Sequence, residues 1–235
     1  MKTIIEQIRQ TLNESIDEKT KNGSQRFFKE EIKSYGVKVP IVNQISKAYF
    51  TEIKRKNKTE IFDLCEELWH SGNFEECIIA CNWSYALRKH YEREDFIIFS
   101  RWLQNYVSNW ATCDTLCNHT IGTFIMMYPE YILELTNWAK STNRWVKRAA
   151  AVTLIIPARK GLFLDNILEL ADILLLDKDD LVQKGYGWML KAASESHQNE
   201  VFDYVVSKKA VMPRTALRYA IEKMPANLKT EAMKK

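Results

Sequence analysis

Glycine and proline are scarce in this sequence, with 7 and 5 residues among 235. Together they make up about 5% of the chain, against roughly 12% in average proteins. An all-β fold needs many more turn residues, so sandwiches, barrels and collagen-like structures are excluded. Since no uninterrupted apolar run reaches about 18 residues, we expect no membrane span. The first ten residues place acid and amide side chains within their apolar stretch, which is not typical of a signal peptide.

Cysteines are few and odd in number, at positions 65, 77, 81, 113 and 117. Two of the spacings are i, i+4, which allows a four-thiolate metal site, but zinc sites more often have two-residue spacers in tight loops. We therefore predict free, buried thiols and no metal. Hydrophobic residues make up 46% of the chain and charged residues 27%, which is enough for a substantial core.

The net charge of +4 is unevenly distributed. Residues 143–235 hold 16 Lys and Arg against 11 Asp and Glu, whereas the first 142 residues are slightly acidic. A basic C-terminal part could face phosphates, although an ordinary solvated surface would give the same count.

Helical periodicity runs through nearly the whole chain. It begins with an apolar stripe at positions 4, 5, 8 and 12, and Pro40 is placed to open a second helix. Thr59 is the expected cap of a helix that ends at Ser71-Gly72. Further helices are predicted over Phe74 to about Tyr91, Asp95 to about Val107, Trp110–Tyr128, Tyr131–Ala139, Asn143 to about Pro157, and around 165–176, 179–195, 199–207, 213–224 and 226–234.

An internal repeat sharpens the prediction of an all-α chain. Arg144–Leu154 aligns with Asp180–Leu190 at an offset of 36 residues, with small residues at 149/185 and 151/187. Looser copies begin at Phe74 and at Pro213. This period predicts a right-handed α-solenoid of HEAT or armadillo-like repeats, forming a single domain over residues 1–235 with helical caps at both ends. Such a solenoid is curved, and its inner helices line a concave binding face.

One set of residues is a candidate for a catalytic site. There is no phosphate-binding glycine loop, HExxH, GxSxG or Cys/His zinc pattern, and the four histidines are isolated. Trp110 and Asp114 are one helical turn apart, and Lys184 and Trp188 repeat that spacing, with Arg148 equivalent to Lys184. A carboxylate among indoles suits a cationic, sugar-like centre. The alternative is that the tryptophans belong to the core and that Asp114 pairs with Arg148 structurally.

The signatures Trp110-x-x-x-Asp114, Trp145-x-x-Arg148-Ala-Ala and Gln183-Lys-x-x-Gly-Trp188 occur in this order. Together with Arg26–Lys29 and Gly36–Pro40, they resemble the DNA alkylation-repair family of HEAT-like-repeat proteins over nearly the whole chain. The best-known members are bacterial alkylpurine DNA glycosylases.

The resemblance implies a metal-free, cofactor-free glycosylase that excises cationic alkylated purines, such as N3-methyladenine and N7-methylguanine, from duplex DNA. It implies that Asp114 stabilises the oxocarbenium-like sugar and positions water, while Trp110 and Trp188 pack around the lesion, which need not enter a deep pocket. The implied DNA contacts come from Arg148 with Phe27, Lys147, Lys184, Lys191 and Arg214. The implied protein is a monomer in the cytoplasm, on the nucleoid when it acts.

Two positions depart from the glycosylase pattern. Phe27 stands where the glycosylases have a tyrosine, and the apolar segment Val39–Val42 stands where they are more polar and basic. Two alternatives therefore stay open: a DNA-binding paralogue without excision, which would bind duplexes in a salt-sensitive way, and a protein-binding HEAT scaffold. The cations at positions 147, 148, 184 and 191 argue against the scaffold.

Overall fold

The chain is all-α, as the periodicity predicts. The computed structural model describes residues 2–234, apart from the side chain of Ser24. Within this range there is no β-strand, only one isolated bridge between Lys33 and Asn73. The helices are α1 (Ile4–Glu14), α2 (Glu18–Ser24), α3 (Val39–Ile53), α4 (Lys58–His70), α5 (Phe74–Ala86), α6 (Asp95–Asn105), α7 (Trp110–Thr115), α8 (Gly122–Met127), α9 (Ile132–Ala139), α10 (Arg144–Val152), α11 (Ile155–Arg159), α12 (Leu164–Leu174), α13 (Asp180–Ala193), α14 (Gln198–Lys208), α15 (Arg214–Ala220) and α16 (Ala226–Met233).

Most helix boundaries follow local signals in the sequence. Pro40 lies in the first turn of α3, and α4 ends just before Gly72, which adopts a φ of 67°. The expected cap at Thr59 is wrong. Asn57 caps α4 instead, because its side chain accepts the Glu60 N–H at 2.9 Å while the Glu60 carboxylate accepts the Asn57 N–H at 3.1 Å.

Several predicted helices are shorter or interrupted. The segment expected to be one helix over 110–128 contains α7, a π-helical turn (Leu116–Ile121) and α8. The helices that start at Phe74 and Arg214 each stop about four residues early, and α11 follows α10 as a separate turn. Helix α2 was not predicted at all. It starts because the Asp17 carboxylate accepts the Thr20 N–H at 2.7 Å.

Contacts group the chain into two compact units, unit 1 (Met1–Leu116) and unit 2 (Cys117–Lys235). In unit 1, α3 packs against α1 and α5, and α5 packs against α4 and α7. Large aromatic side chains fill this core, including the fully buried Trp69, Trp83 and Trp102. The expectation that residues 1–235 form a single domain stays a prediction.

Unit 2 consists of helix pairs in two rows. The pairs α9–α10 and α12–α13 each pack internally, α9 packs on α12, and α13 lies between α10 and α15. Three of the four aligned sequence repeats therefore fall on α10, α13 and α15, which are consecutive neighbours in one row, and the copy that begins at Phe74 falls on α5 of unit 1. No helix in residues 2–234 combines the length and apolar character that a membrane crossing requires.

The small residues of the repeat allow these neighbours to approach closely. A Cβ placed on Gly187 would lie 2.7 Å from the Tyr219 Cβ and 2.8 Å from the Ala216 carbonyl oxygen on α15. Two residues earlier on the same helix, a Cβ on Gly185 would make ordinary contacts, 3.4 Å from the Arg148 Cγ and 3.7 Å from a Val152 methyl.

These distances predict opposite effects for two alanine substitutions. We expect Gly187→Ala to lower the free energy of unfolding by about 1–3 kcal/mol, because α13 and α15 must separate. Gly185→Ala is the matched control and is expected to raise it by up to about 1 kcal/mol through helix propensity. Urea denaturation of both variants measures the difference. Equal midpoints would contradict the close packing of α13 on α15.

All five cysteines are free and buried, as predicted. Burial raises the pKa of the Cys65 and Cys81 thiols and raises that of Cys77 to about 12. These thiols are therefore protonated at neutral pH and act as small apolar core residues. Among residues 2–234, no group of three His, Cys, Asp or Glu side chains is arranged to hold a metal ion.

Candidate nucleic-acid interface

Helix α7 carries two of the predicted catalytic residues. The Asn109 side chain caps this helix by accepting the Thr112 N–H at 3.0 Å, so the helix begins at Trp110. Trp110 is half-buried, and Asp114, one turn later, is only 8% exposed. A carboxylate with so little water around it interacts strongly with any nearby positive charge.

Trp110 also joins α7 to the short segment that contains Phe27. Its indole N–H donates to the Phe27 carbonyl at 3.1 Å, and its ring stacks on Phe28 with centroids 5.6 Å apart and planes inclined by 24°. Phe28 in turn meets the Phe74 ring edge-on at 5.8 Å. The Phe27 ring itself is 75% exposed. The two rings thus differ in role, since Phe28 is packed against α7 while Phe27 faces solvent.

A cavity of about 700 Å³ opens beside this aromatic group in unit 1. One wall is Glu75, which is fully buried and which accepts the backbone N–H groups of Tyr35, Gly36 and Val37 at 2.9–3.0 Å and the Ser34 hydroxyl at 2.8 Å. The remaining lining comes from α2 and the residues after it, the 32–39 segment and the start of α7. Glu75 therefore sets the position of the loop that forms this wall.

The lining of the cavity includes the ion pair between Asp17 and Lys38, whose charged atoms are 3.0 Å apart. Hydrogen bonds from the Thr20 hydroxyl, from Lys38 and from the Thr20 N–H lower the pKa of Asp17 from 3.8 to about 2. Because the pKa is depressed in the folded state, the stabilisation is present above pH 4 and is lost as the pH falls toward 2.

We accordingly expect part of the acid destabilisation of this protein to depend on Asp17. The Asp17→Asn variant is expected to lose less thermal stability than the wild type between pH 4 and pH 2, since it has no charge to titrate there. Melting temperatures measured across this window test the expectation. Parallel curves for the two proteins would contradict it.

In unit 2, Arg148 lies on α10 and is 5% exposed. Its guanidinium donates to the Leu181 carbonyl in the first turn of α13, and its side chain runs along the surface that Gly185 leaves open. Arg148 thus links two neighbouring repeats while its charge stays close to α13.

The other predicted residues of unit 2 lie on the same row of helices. Lys184, Trp188 and Lys191 follow one another at spacings of four and three along α13, and all three are half-buried. Spacings of this kind place side chains on one helix face. Arg214, at the start of α15, is exposed and donates weakly to the Met233 carbonyl at 3.4 Å.

Three predicted phosphate contacts already have acidic partners. Lys147 is paired with Asp177, Lys184 with Asp180 at 3.3 Å, and Lys191 with Glu222 at 2.9 Å. A phosphate that binds these lysines must share or displace a carboxylate. The sequence shows the cations of this region but not the distant carboxylates that pair with Lys147 and Lys191.

The sequence also did not identify Glu75 and Glu76, two consecutive acids in the first turn of α5, as structural residues. Glu75 holds the 34–37 loop, and the fully buried Glu76 accepts from Arg9 at 3.1 Å and from the Tyr35 hydroxyl at 2.7 Å. Two adjacent acids in a first helical turn are common, because they favour the helix dipole. Their complete burial distinguishes them from ordinary acids of a first helical turn, and burial cannot be observed in the sequence.

Taken together, the stacked helix pairs of unit 2 define an all-α protein of repeated helical units. Unit 1 carries Trp110 and the buried carboxylate of Asp114 on α7, and unit 2 carries Trp188 and several cations on α10, α13 and α15. The chain belongs to the DNA alkylation repair enzyme family, whose family model matches residues 8–224. The resemblance inferred from the motifs is thereby confirmed, and a role in DNA repair follows from the family.

A solved structure supports the fold assignment. It is described as a predicted DNA alkylation repair enzyme from Enterococcus faecalis, and it matches this chain with a TM-score of 0.80 at 15% sequence identity. The match covers 90% of this chain and 98% of the other. At this identity the likeness shows the fold alone. Among curated proteins, no sequence matches significantly.

Proposed function

We propose that this protein excises cationic alkylated purines, such as N3-methyladenine and N7-methylguanine, from duplex DNA by hydrolysing the N-glycosidic bond. The observation that carries the proposal is the position of half-buried Trp110 one turn before the buried carboxylate of Asp114, in a member of a DNA alkylation repair family. Lys184 and Trp188 repeat this spacing on α13.

The chemistry requires little from the protein because the base is already positively charged. When the bond from C1′ to the purine breaks, its electron pair goes to the base, which leaves neutral, and positive charge develops on the sugar. The Asp114 carboxylate stabilises that charge, and the indole faces of Trp110 and Trp188 pack against the sugar and favour the cation. Water then adds to C1′ and releases its proton to solvent. No metal or cofactor takes part in this mechanism.

Duplex DNA is the proposed partner, held mainly through its phosphates. Arg148 is the principal contact, with supporting contacts from Lys147, Lys184, Lys191 and Arg214, while the exposed Phe27 ring packs near the lesion. We further propose that unit 2 is built from repeats of the HEAT type and that the protein acts as a cytoplasmic monomer.

The direct test is to incubate the purified protein with duplex DNA that contains N7-methylguanine and to quantify the free base by chromatography. We expect release that increases linearly with protein concentration. Binding that weakens steeply with salt, without any released base, would refute the glycosylase and favour the non-catalytic DNA-binding paralogue. Neither binding nor release would favour the protein-binding scaffold.

The ion pair between Lys147 and Asp177 leads to a separate prediction on DNA affinity. We expect Asp177→Asn to bind duplex DNA about two- to fivefold more tightly, because Lys147 no longer has a competing carboxylate. The slope of log affinity against log salt concentration is expected to steepen by about one. Fluorescence anisotropy at several salt concentrations measures both quantities.

A matched control separates this effect from the change in net charge. Asp172 pairs with Lys208 at 2.7 Å in the same unit, and Lys208 is not a proposed DNA contact. Asp172→Asn removes the same charge and is expected to leave the salt slope unchanged. Identical slopes for the two variants would rule out Lys147 as a phosphate contact.

A further inference from the structure

The cavity in unit 1 has the chemistry of a nucleotide site. Its aromatic walls are Phe27, Phe28 and Trp110, and its volume of about 700 Å³ is typical of small-ligand sites. Phe28 and Trp110 are stacked on each other, so their rings are fixed and present a preformed apolar surface. Planar groups such as nucleobases stack on surfaces of this kind in a sequence-independent way.

The charged residues that line the cavity indicate which chemical group a bound planar base would have attached to it. Lys19 and Arg26 line the cavity and are exposed, and neither forms an ion pair with any residue between positions 2 and 234. The two acids that also line it are already engaged, since Asp17 is paired with Lys38 and Glu75 accepts four hydrogen bonds. A largely apolar cavity whose lining includes two exposed cations suits a planar base attached to a phosphate.

We infer that this cavity binds a nucleotide whose base is displaced from the stack of the bound DNA. A paired base is enclosed in the duplex and cannot enter, so only an unstacked nucleotide fits, with its base against Phe28 and Trp110 and its phosphates at Lys19 and Arg26. The inference rests on the proposed function in that DNA is the source of the nucleotide, and the site shares Phe27 and Trp110 with the proposed contacts to the lesion. It adds a base-binding site to a reaction that does not itself require one.

Gly23 offers a way to close the site without disturbing the fold. This residue lines the cavity in the last turn of α2, and a Cβ placed on it would meet no atom within 4 Å. We therefore expect the Gly23→Leu side chain to occupy part of the cavity from a Cβ that meets no neighbour, and replacing a helical glycine does not weaken the helix. Asn22→Leu is the matched control, because Asn22 is exposed on the same helix and does not line the cavity.

The probe is 2-aminopurine, whose fluorescence falls when it stacks on an aromatic ring. It is placed as a single bulged nucleotide in one duplex and in a normal base pair in another, and it is also used as the free 5′-monophosphate. We expect the wild type and Asn22→Leu to quench the fluorescence of the bulged probe. Gly23→Leu is expected to bind this probe about tenfold more weakly than the wild type. The melting temperatures of both variants are expected to equal that of the wild type. The paired probe is expected to respond to none of the three proteins.

Several outcomes would overturn the inference: equal quenching by Gly23→Leu and the wild type, no quenching of the bulged probe, or binding of the free nucleotide alone. Base release from the N7-methylguanine duplex is scored in parallel with the same proteins. Release without quenching would refute the nucleotide site and leave the glycosylase. Quenching that depends on Gly23, without any release, would refute the glycosylase and leave the site.

Discussion

Replacing Asp114 by Asn is expected to lower the rate of base release by about two to three orders of magnitude. The substitution keeps the shape of the side chain but removes the negative charge that stabilises the developing positive charge on the sugar. Removing a single electrostatic contact to a transition state typically costs this much. Because Asp114 is only 8% exposed, solvent screens its charge weakly, which favours the upper part of the range. Single-turnover release of N7-methylguanine measures the effect.

A second buried aspartate of unit 1 serves as the control for folding. Asp95 is 4% exposed, accepts the Glu92 N–H at 2.8 Å and pairs with Lys58 at 2.9 Å. Asp95→Asn is therefore expected to lose stability but to retain base release per folded molecule. If Asp114→Asn is folded by circular dichroism and still releases base within about threefold of the wild-type rate, the proposed role of this carboxylate is wrong.

The largest effect on stability is expected at Glu75. Glu75→Ala would leave the backbone N–H groups of Tyr35 and Val37 without their acceptor and the Gly36 N–H with only the Ser34 hydroxyl, 3.0 Å away. Each unsatisfied donor costs about 1–3 kcal/mol, so we expect the free energy of unfolding to fall by about 3–5 kcal/mol. Urea denaturation measures the total, and hydrogen exchange at these three amides locates it.

Ser34→Ala provides the graded comparison, because it removes one hydrogen bond to the same carboxylate and leaves the Gly36 N–H with Glu75 as its acceptor. Its expected cost is about 1 kcal/mol. If Glu75→Ala and Ser34→Ala have equal urea midpoints, the carboxylate does not hold the 34–37 loop. Gly36 makes this loop intolerant of other changes, since its φ is 87° and a Cβ there would lie 2.4 Å from the Lys21 Cβ.

Much of the fold could be predicted from the sequence because helices are specified locally. Pro40 and Gly72 mark a beginning and an end through their own backbone preferences, and Asn143 caps α10 through an N–H two residues away. The repeat aligned at Arg144 and Asp180 also falls on equivalent helices. The wrong cap at Thr59 has the same local origin, since Asn57 competes for that role and has a glutamate at the right distance.

The candidate site was predictable only as a set of residue types in order. The motifs identified Trp110, Asp114, Arg148 and Trp188, and the family match supports the resemblance that they carry. They did not predict that the indole N–H of Trp110 would donate to a carbonyl 83 residues away. Nor did they predict the carboxylates that pair with Lys147, Lys184 and Lys191.

The sequence by itself determined that this chain is all-α, where most helices begin, that its repeats are consecutive units and which family it belongs to. These properties depend on contacts within one or two helical turns, or on a pattern repeated along the chain. Only the tertiary structure decided that Glu75 and Glu76 are buried, that Lys147 and Lys191 pair with carboxylates 30 and 31 positions away and that a cavity opens beside Phe28. Burial, charge pairing and empty space depend on side chains 30 to 80 positions apart, and no local signal specifies which of them meet.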